Sequence, residues 1–237
     1  MEWNDQGILL AVRAHGESAA IIDVLTQRHG RHAGLVRGGS SRKFAALLQP
    51  GNLLSLSWKA RLEEQLGSFS VELKRANSGH ILSSRQKLYG FNALSAMLAR
   101  YLPEREVNES IFGAVVDILS RYQSELFWQH KYCLFELEFL NALGYGLDLS
   151  QCAATGQSDD LAYVSPKTGR AVSRDGAKGW ENRLLVFPEF LQQDELRPIS
   201  STEFRQSLTL SGYFFAKHVP VTPPKLPEAR LRFSDIV

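Results

Sequence analysis

Between Asp23 and Glu63 lie seven basic side chains and no acidic one: Arg28, Arg31, Arg37, Arg42, Lys43, Lys59 and Arg61, accompanied by His29 and His32. Gly30, Gly34, Gly38, Gly39 and Gly51 hinge the same stretch. In a chain whose formal net charge is only +2, long cationic side chains collected on glycine-hinged turns have the chemistry of a surface that holds a polyanion by its phosphates. The same residues equally describe a solvated face whose acidic partners lie elsewhere in the sequence, and composition does not separate the two. Residues 1–80 hold ten Lys/Arg against seven Asp/Glu, a net +3, which leaves −1 for the remainder. An anion is therefore to be sought in the first third.

The elements that must carry these residues read as strands. The run Gly7 to Ala14 is apolar, Ser18 to Thr26 is rich in β-branched residues, and His32 to Arg37 supplies a third short strand. Leu54, Leu56 and Trp58 then alternate with Ser55, Ser57 and Lys59, as Phe69, Val71 and Leu73 do with Ser70, Glu72 and Lys74. That period of two buries one face of each strand and wets the other. Five short strands in such a span fit a small barrel, of which the five-stranded oligonucleotide-binding (OB) fold is the common member. SH3-like barrels fit the same periodicity.

Beyond residue 80 the period becomes helical. Leu88, Phe91, Leu94, Met97, Leu98 and Tyr101 place a helix over 81–102, closed by Pro103, and Ile111, Phe112, Val115, Ile118 and Leu119 place a second over 109–122. A third, over 125–143, is apolar on nearly every side, with Gly144 as its C-cap. Periodicity fails from 146 to 182, a turn-rich segment with one strand pair expected at Ala162–Ser165 and Arg170–Ser173. Helical spacing returns as one turn at Pro188–Leu191, a longer helix over 201–218, and a last short one over 227–233 after Pro220, Pro223 and Pro224. The expected organisation is α+β: a barrel over 1–80, a helical domain over 81–147 and 183–237, and an insert over 148–182.

At 237 residues, 44% apolar and 22% charged, the chain has the composition of a globular protein. No segment approaches the ~20 consecutive apolar residues of a membrane span, and no basic start precedes an apolar run, so the expected location is the cytoplasm. Cys133 and Cys152 are too few for a disulfide framework or a four-thiolate zinc site, and Cys133 reads as a core thiol. No HExxH, GxSxG or phosphate-loop motif occurs, and the six histidines are scattered. We therefore expect neither catalysis nor a cofactor.

The order of motifs resembles the RecO family of recombination mediators. They run from the initial MEW through Gly16-Glu17-Ser18, Gly30-Arg31, Val36-Arg37-Gly38-Gly39, Arg42-Lys43 and Leu48-Gln49-Pro50-Gly51. Phe135-Glu136-Leu137, Leu143-Gly144-Tyr145-Gly146 and Tyr163-Val164-Ser165-Pro166 continue them, the last in an alphaproteobacterial form. The resemblance spans the whole chain. It implies an N-terminal OB-fold barrel, a helical domain and a zinc-finger-like insert. It also implies binding to single- and double-stranded DNA, annealing of complementary strands, and work with RecR and the single-stranded-DNA-binding protein SSB to help RecA load on gaps. That places the protein in the bacterial cytoplasm, nucleoid-associated during repair. Zinc-binding relatives carry two Cys-x-x-Cys pairs in the insert, whereas here Thr155 stands where the partner of Cys152 would be, so no metal is expected.

On this footing the DNA-binding candidates are Arg28, Arg31, Arg37, Arg42, Lys43, Lys59 and Arg61, centred on Arg37, Arg42 and Lys43 at the Gly38–Ser41 turn. Trp3, Phe44, Trp58 and Phe69 are the aromatic candidates for base stacking; Trp58 and Phe69 fall on the buried phase of their strands, and Phe44, next to Arg42-Lys43, is the one to test. The resemblance also implies a site for the acidic SSB C-terminal tail near Phe135-Glu136-Leu137, where Arg121 and Lys131 supply charge and Phe127 or Tyr132 an apolar wall. A non-catalytic scaffold whose barrel binds protein instead is the alternative.

Overall fold

The alternation of apolar and polar residues resolves into five antiparallel-dominated strands that return on themselves. In the computed structural model, which describes residues 1–124, 127–193, 195–223 and 225–237, these are β1 (Glu2–His15), β2 (Ala19–Thr26), β3 (Arg31–Val36), β4 (Leu53–Lys59) and β5 (Ser68–Arg75). They close a barrel in the order β1-β2-β3-β5-β4, the five-stranded fold expected. Strand β1 is longer than its apolar run because it serves two neighbours: Glu2–Ile8 pairs with β4, and Gly7–His15 with β2. A parallel pairing of Leu35 with Ser68 joins β3 to β5.

Leu9, Ile22, Val24, Leu54, Leu56, Trp58 and Phe69 fill the interior. Each such side chain contributes about 1.5–3 kcal/mol relative to exposure. Trp58 and Phe69 are core residues, as their phase requires.

The helix expected over 81–102 divides. Ser84 accepts a hydrogen bond from the Lys87 amide as an N-cap, so a short α2 (Ser78–Leu82) precedes α3 (Arg85–Tyr101). A single helical turn, α1 (Arg42–Ala45), lies between β3 and β4, and α4 (Glu109–Ser124) follows α3. The α3–α4 connection returns to the barrel: Arg105 donates its amide to the Arg31 carbonyl (2.8 Å). Gly30 permits this approach, since a Cβ there would sit 2.3 Å from the Glu106 carbonyl oxygen, and its φ is +66°.

The chain divides into two compact units, 1–124 and 125–237, a different division from the one drawn on periodicity. Glu125, where periodicity starts the third helix, and Pro224 lie outside the described residues. In the second unit α5 (Trp128–Ala142), α6 (Ser201–Lys217) and α7 (Glu228–Asp235) meet through aromatic contacts among Tyr132, Phe135, Phe139, Phe204, Phe215 and Phe233. At their centre is an ion pair. Arg230 donates to both carboxylate oxygens of Glu136 (2.5 and 2.8 Å) and to the Leu208 carbonyl (2.9 Å), while the Ser211 hydroxyl donates to Glu136 (2.5 Å). Glu136, the middle of the Phe-Glu-Leu motif, thus ties three helices together from a fully buried position.

The insert holds β6 (Leu161–Val164) and β7 (Ala171–Ser173), one residue from the expected pair. A two-residue strand that periodicity does not reveal, β8 (Leu185–Val186), completes a sheet in the order β7-β6-β8.

Candidate nucleic-acid interface

The seven cations do not form one patch. Lys59 pairs across the sheet with Glu2 at the start of β1, and Arg28 bonds to Asp5 and to the Asn4 carbonyl in the same region. Arg37 follows Val36, which pairs with Ala20, and Ser40 donates to the Ser18 and Ala19 carbonyls beside the β1–β2 turn. The two groups therefore occupy opposite ends of the 14-residue β1, roughly 40 Å apart along the strand.

They differ in chemistry as well as place. At the β1–β2 end Arg37, Arg42 and Lys43 are exposed, and among the described residues none of the three makes an ion pair. Gly38 (φ +69°) turns the chain out of β3, after which the Gly39 and Ser41 amides donate back to Val36 and Gly38. Arg42 and Lys43 then open α1 instead of lying on the turn itself.

At the opposite end two of the cations have acidic partners. Arg28 is tied to Asp5 (3.4 Å) and Lys59 to Glu2 (2.8 Å), whereas Arg61 is exposed in the bend after β4. Arg31, another phosphate candidate, lies between the two ends and is engaged by its own neighbours. Its guanidinium, 11% exposed, donates to Asp23 (2.7 Å) and to the Leu102 carbonyl (3.2 Å). Burial pushes the Asp23 carboxyl above its usual range, and the charges of Arg31 and Arg13 oppose that rise.

The ring candidates stand differently. Phe44 is half-buried, packed with Leu47 against the core to which Leu48 belongs. Tyr132 is fully buried among Phe135, Phe204 and Phe233 and cannot line a surface pocket. Of its intended companions, Phe127 and Lys131 are half-exposed at the start of α5, and Arg121 on α4 bonds to Asp117 (3.2 Å). Sequence reasoning missed Arg13 and His15, which the length of β1 carries to the Arg37 end, where both are exposed. The β-branched strand following Gly16 was the available signal, because it implies a hairpin that continues β1 up to the turn.

The donor set around Cys152 in the insert is not that of a zinc site. The buried Cys152 sulfur accepts hydrogen bonds from the Ser173 amide (3.2 Å) and hydroxyl (3.3 Å) and from the Thr155 amide (3.4 Å). A Cβ at Gly176 would sit 3.0 Å from the same sulfur. One thiol, two hydroxyl residues and a glycine do not fit a tetrahedral zinc. The sulfur acts as a hydrogen-bond acceptor at the point where the turns converge. Burial raises its pKa, but the bonds from Ser173 and Thr155 outweigh that and hold it down to about 6. Among the described residues no cluster of three or more His, Cys, Asp or Glu is gathered for a metal, and no helix is long and apolar enough to cross a membrane.

A five-stranded barrel in this strand order, followed by helices, defines an OB-fold protein, here with three exposed cations at one end of the barrel. Two family models match the chain, Recombination protein O N terminal over residues 1–76 and Recombination protein O C terminal over residues 82–227. DNA repair protein RecO of Cereibacter sphaeroides is 46% identical over 237 residues, covering 100% of this chain and 98% of its own length. The proteins of the same name from Roseobacter denitrificans and a Ruegeria species are 47% and 48% identical, each over 99% of this chain and 98% of the relative. The chain belongs to the RecO family, and with it to DNA repair and recombination.

Proposed function

We propose that the protein binds single- and double-stranded DNA through Arg37, Arg42 and Lys43, anneals complementary strands, and with RecR helps load RecA on SSB-coated gaps. The observation that carries this is the set of three exposed cations, unpaired among the described residues, on one end of an OB-fold barrel in a RecO-family chain. Phosphate contacts without base-edge contacts suit annealing, because they neutralise both backbones while leaving bases free to move. Arg61 supplies a further contact at the other end. The SSB tail is taken by the start of α5, where Phe127 offers an apolar surface and Lys131 a charge for the terminal carboxylate. The protein acts as a mediator and not as a catalyst, in the cytoplasm and on the nucleoid during repair.

The test is strand annealing by wild type and by an Arg42→Ala, Lys43→Ala variant, with bare and with SSB-coated strands. Annealing should fall several-fold for the variant on both substrates. Unchanged annealing would remove the basic end as the DNA site, and loss confined to SSB-coated strands would favour a protein-binding barrel. Labelled DNA and nucleotide incubated with the protein should remain uncleaved.

A further inference from the structure

The barrel end opposite the basic turn holds a cavity of about 450 Å³ that the proposed function leaves unused. Trp3, His29, His32 and Trp58 form its walls, with Arg28 and Arg105 at its edge. Its size falls in the range of small-molecule sites.

The rings are held rigidly. Trp3 stacks on His29 with centroids 4.0 Å apart and planes 6° from parallel, and Trp58 backs Trp3 at 5.5 Å and 19°. His32 and Phe69 meet Trp3 edge-on at 5.3 and 5.7 Å. Each imidazole is fixed from outside the stack. His29 Nδ1 lies 3.0 Å from Asp5, and His32 Nδ1 lies 2.9 Å from the Ala33 carbonyl. The latter contact makes Nδ1 the protonated nitrogen of neutral His32 and gives Nε2 the acceptor lone pair. Burial lowers the pKa of His32 and so favours that neutral form.

Charge at the edge is also fixed. Arg105 donates to the Gln65 carbonyl (3.0 Å) and to that of Glu63, and Arg28, 63% exposed, is held through Asn4 and Asp5. Of the acids nearby, Glu2 pairs with Lys59 and Asp5 with Arg28, and Glu63 lines the cavity with its backbone carbonyl on Arg105. A ligand here needs a flat π-face, a hydrogen-bond donor for an imidazole nitrogen, and an attached anion. A nucleobase on a phosphate chain has all three, and only an unstacked one has a free face.

We propose that this cavity takes a single unstacked nucleobase of single-stranded DNA, with the adjoining phosphates on Arg28 and Arg105. The inference rests on DNA being the ligand of the barrel. It gives the barrel two functionally distinct ends, one that holds any backbone and one that engages only an unpaired strand.

The test fills the cavity from its rim. Val107 lines it and is 50% exposed, so Val107→Trp occupies the space with little effect on the core. His29→Ala, which removes one partly buried ring from the β2–β3 turn, is the second variant should the first fail to fold, with folding checked by thermal melts. Single-stranded oligonucleotide affinity should fall about tenfold in either variant, while duplex affinity stays at the wild-type value. A 2-aminopurine base in the oligonucleotide should lose fluorescence on binding wild type and keep it with the filled cavity. Wild-type single-strand affinity and quenching in both folded variants would overturn the cavity while leaving the basic-end site intact. A wild-type protein that binds neither form of DNA would overturn both.

Discussion

Arg42 and Arg230 are the same residue type put to opposite uses. The first stands exposed on α1 with no ion pair among the described residues. The second is fully buried, with its guanidinium spent on Glu136, Leu208 and Ser234. A buried ion pair gains little over well-packed apolar residues, yet breaking one by removing a partner strands a charge in low dielectric. A bare surface cation contributes almost nothing to folding and is available to a phosphate. What a cation does in this molecule is thus set by its partners, and stability and DNA binding should respond to different residues.

The sharpest way to break that comparison is Glu136→Ala. It leaves Arg230 buried without its carboxylate and should cost about 3–5 kcal/mol in denaturant unfolding. A loss under about 1 kcal/mol would mean that the helices of the second unit are held by their aromatic contacts alone.

Next is Cys152→Ala, which removes the acceptor shared by the amide of Thr155 and the amide and hydroxyl of Ser173. The expected cost is about 1–3 kcal/mol. This contribution depends on pH. Because the folded thiol is held down to about 6, below its unfolded value of about 8.5, the stabilisation is fully present above about 8.5 and is lost as pH falls through 6. The difference in melting temperature between wild type and the variant should therefore narrow between about pH 8.5 and 6. A difference constant across that window would show that the sulfur is bound as the neutral thiol.

Smaller again is Ser200→Ala. Ser200 and Glu203 exchange bonds as a capping box at the start of α6, and Arg197 donates to Glu203 (2.6 Å). Loss of the cap should cost about 1 kcal/mol. The Glu203 carboxyl is held down to about 2 by Arg197 and by Ser200. Its stabilisation is present above the unfolded value of about 4.3 and disappears as pH falls towards 2, which acid unfolding of wild type and Glu203→Gln will show.

The strands were legible in the sequence because each buries one face, and period two records that directly. β8 left no trace, since two residues become a strand only by pairing with β6. The break between α2 and α3 was marked by Ser83-Ser84 but masked by apolar spacing that continues across it. For the cationic stretch, residue types were legible and partners were not. Glu2 and Asp5 lie outside the cationic stretch and reach Lys59 and Arg28 only through strand register and the β2–β3 turn. The packing of Phe44 against the core was legible too: with Leu47 and Leu48 it completes an i, i+3, i+4 apolar set, the mark of a helical turn packed on a core, and the neighbouring cations obscured it.

The smallest effect on stability belongs to Arg42→Ala with Lys43→Ala, expected within about 0.5 kcal/mol of wild type because neither side chain is buried or paired among the described residues. The same variant should show the larger change in DNA binding. If both cations neutralise duplex phosphates, the slope of log affinity against log salt becomes shallower by about 1.8, near 0.9 for each phosphate left without its cation. Arg28→Ala is the matched control, since that guanidinium is already engaged by Asp5 and Asn4, and it should change the duplex slope by less than about 0.9. Equal slope changes from the two variants would mean that the contact with Asp5 does not withhold Arg28 from duplex phosphates, and the distinction between paired and bare cations would fail for duplex DNA at the site where it was drawn.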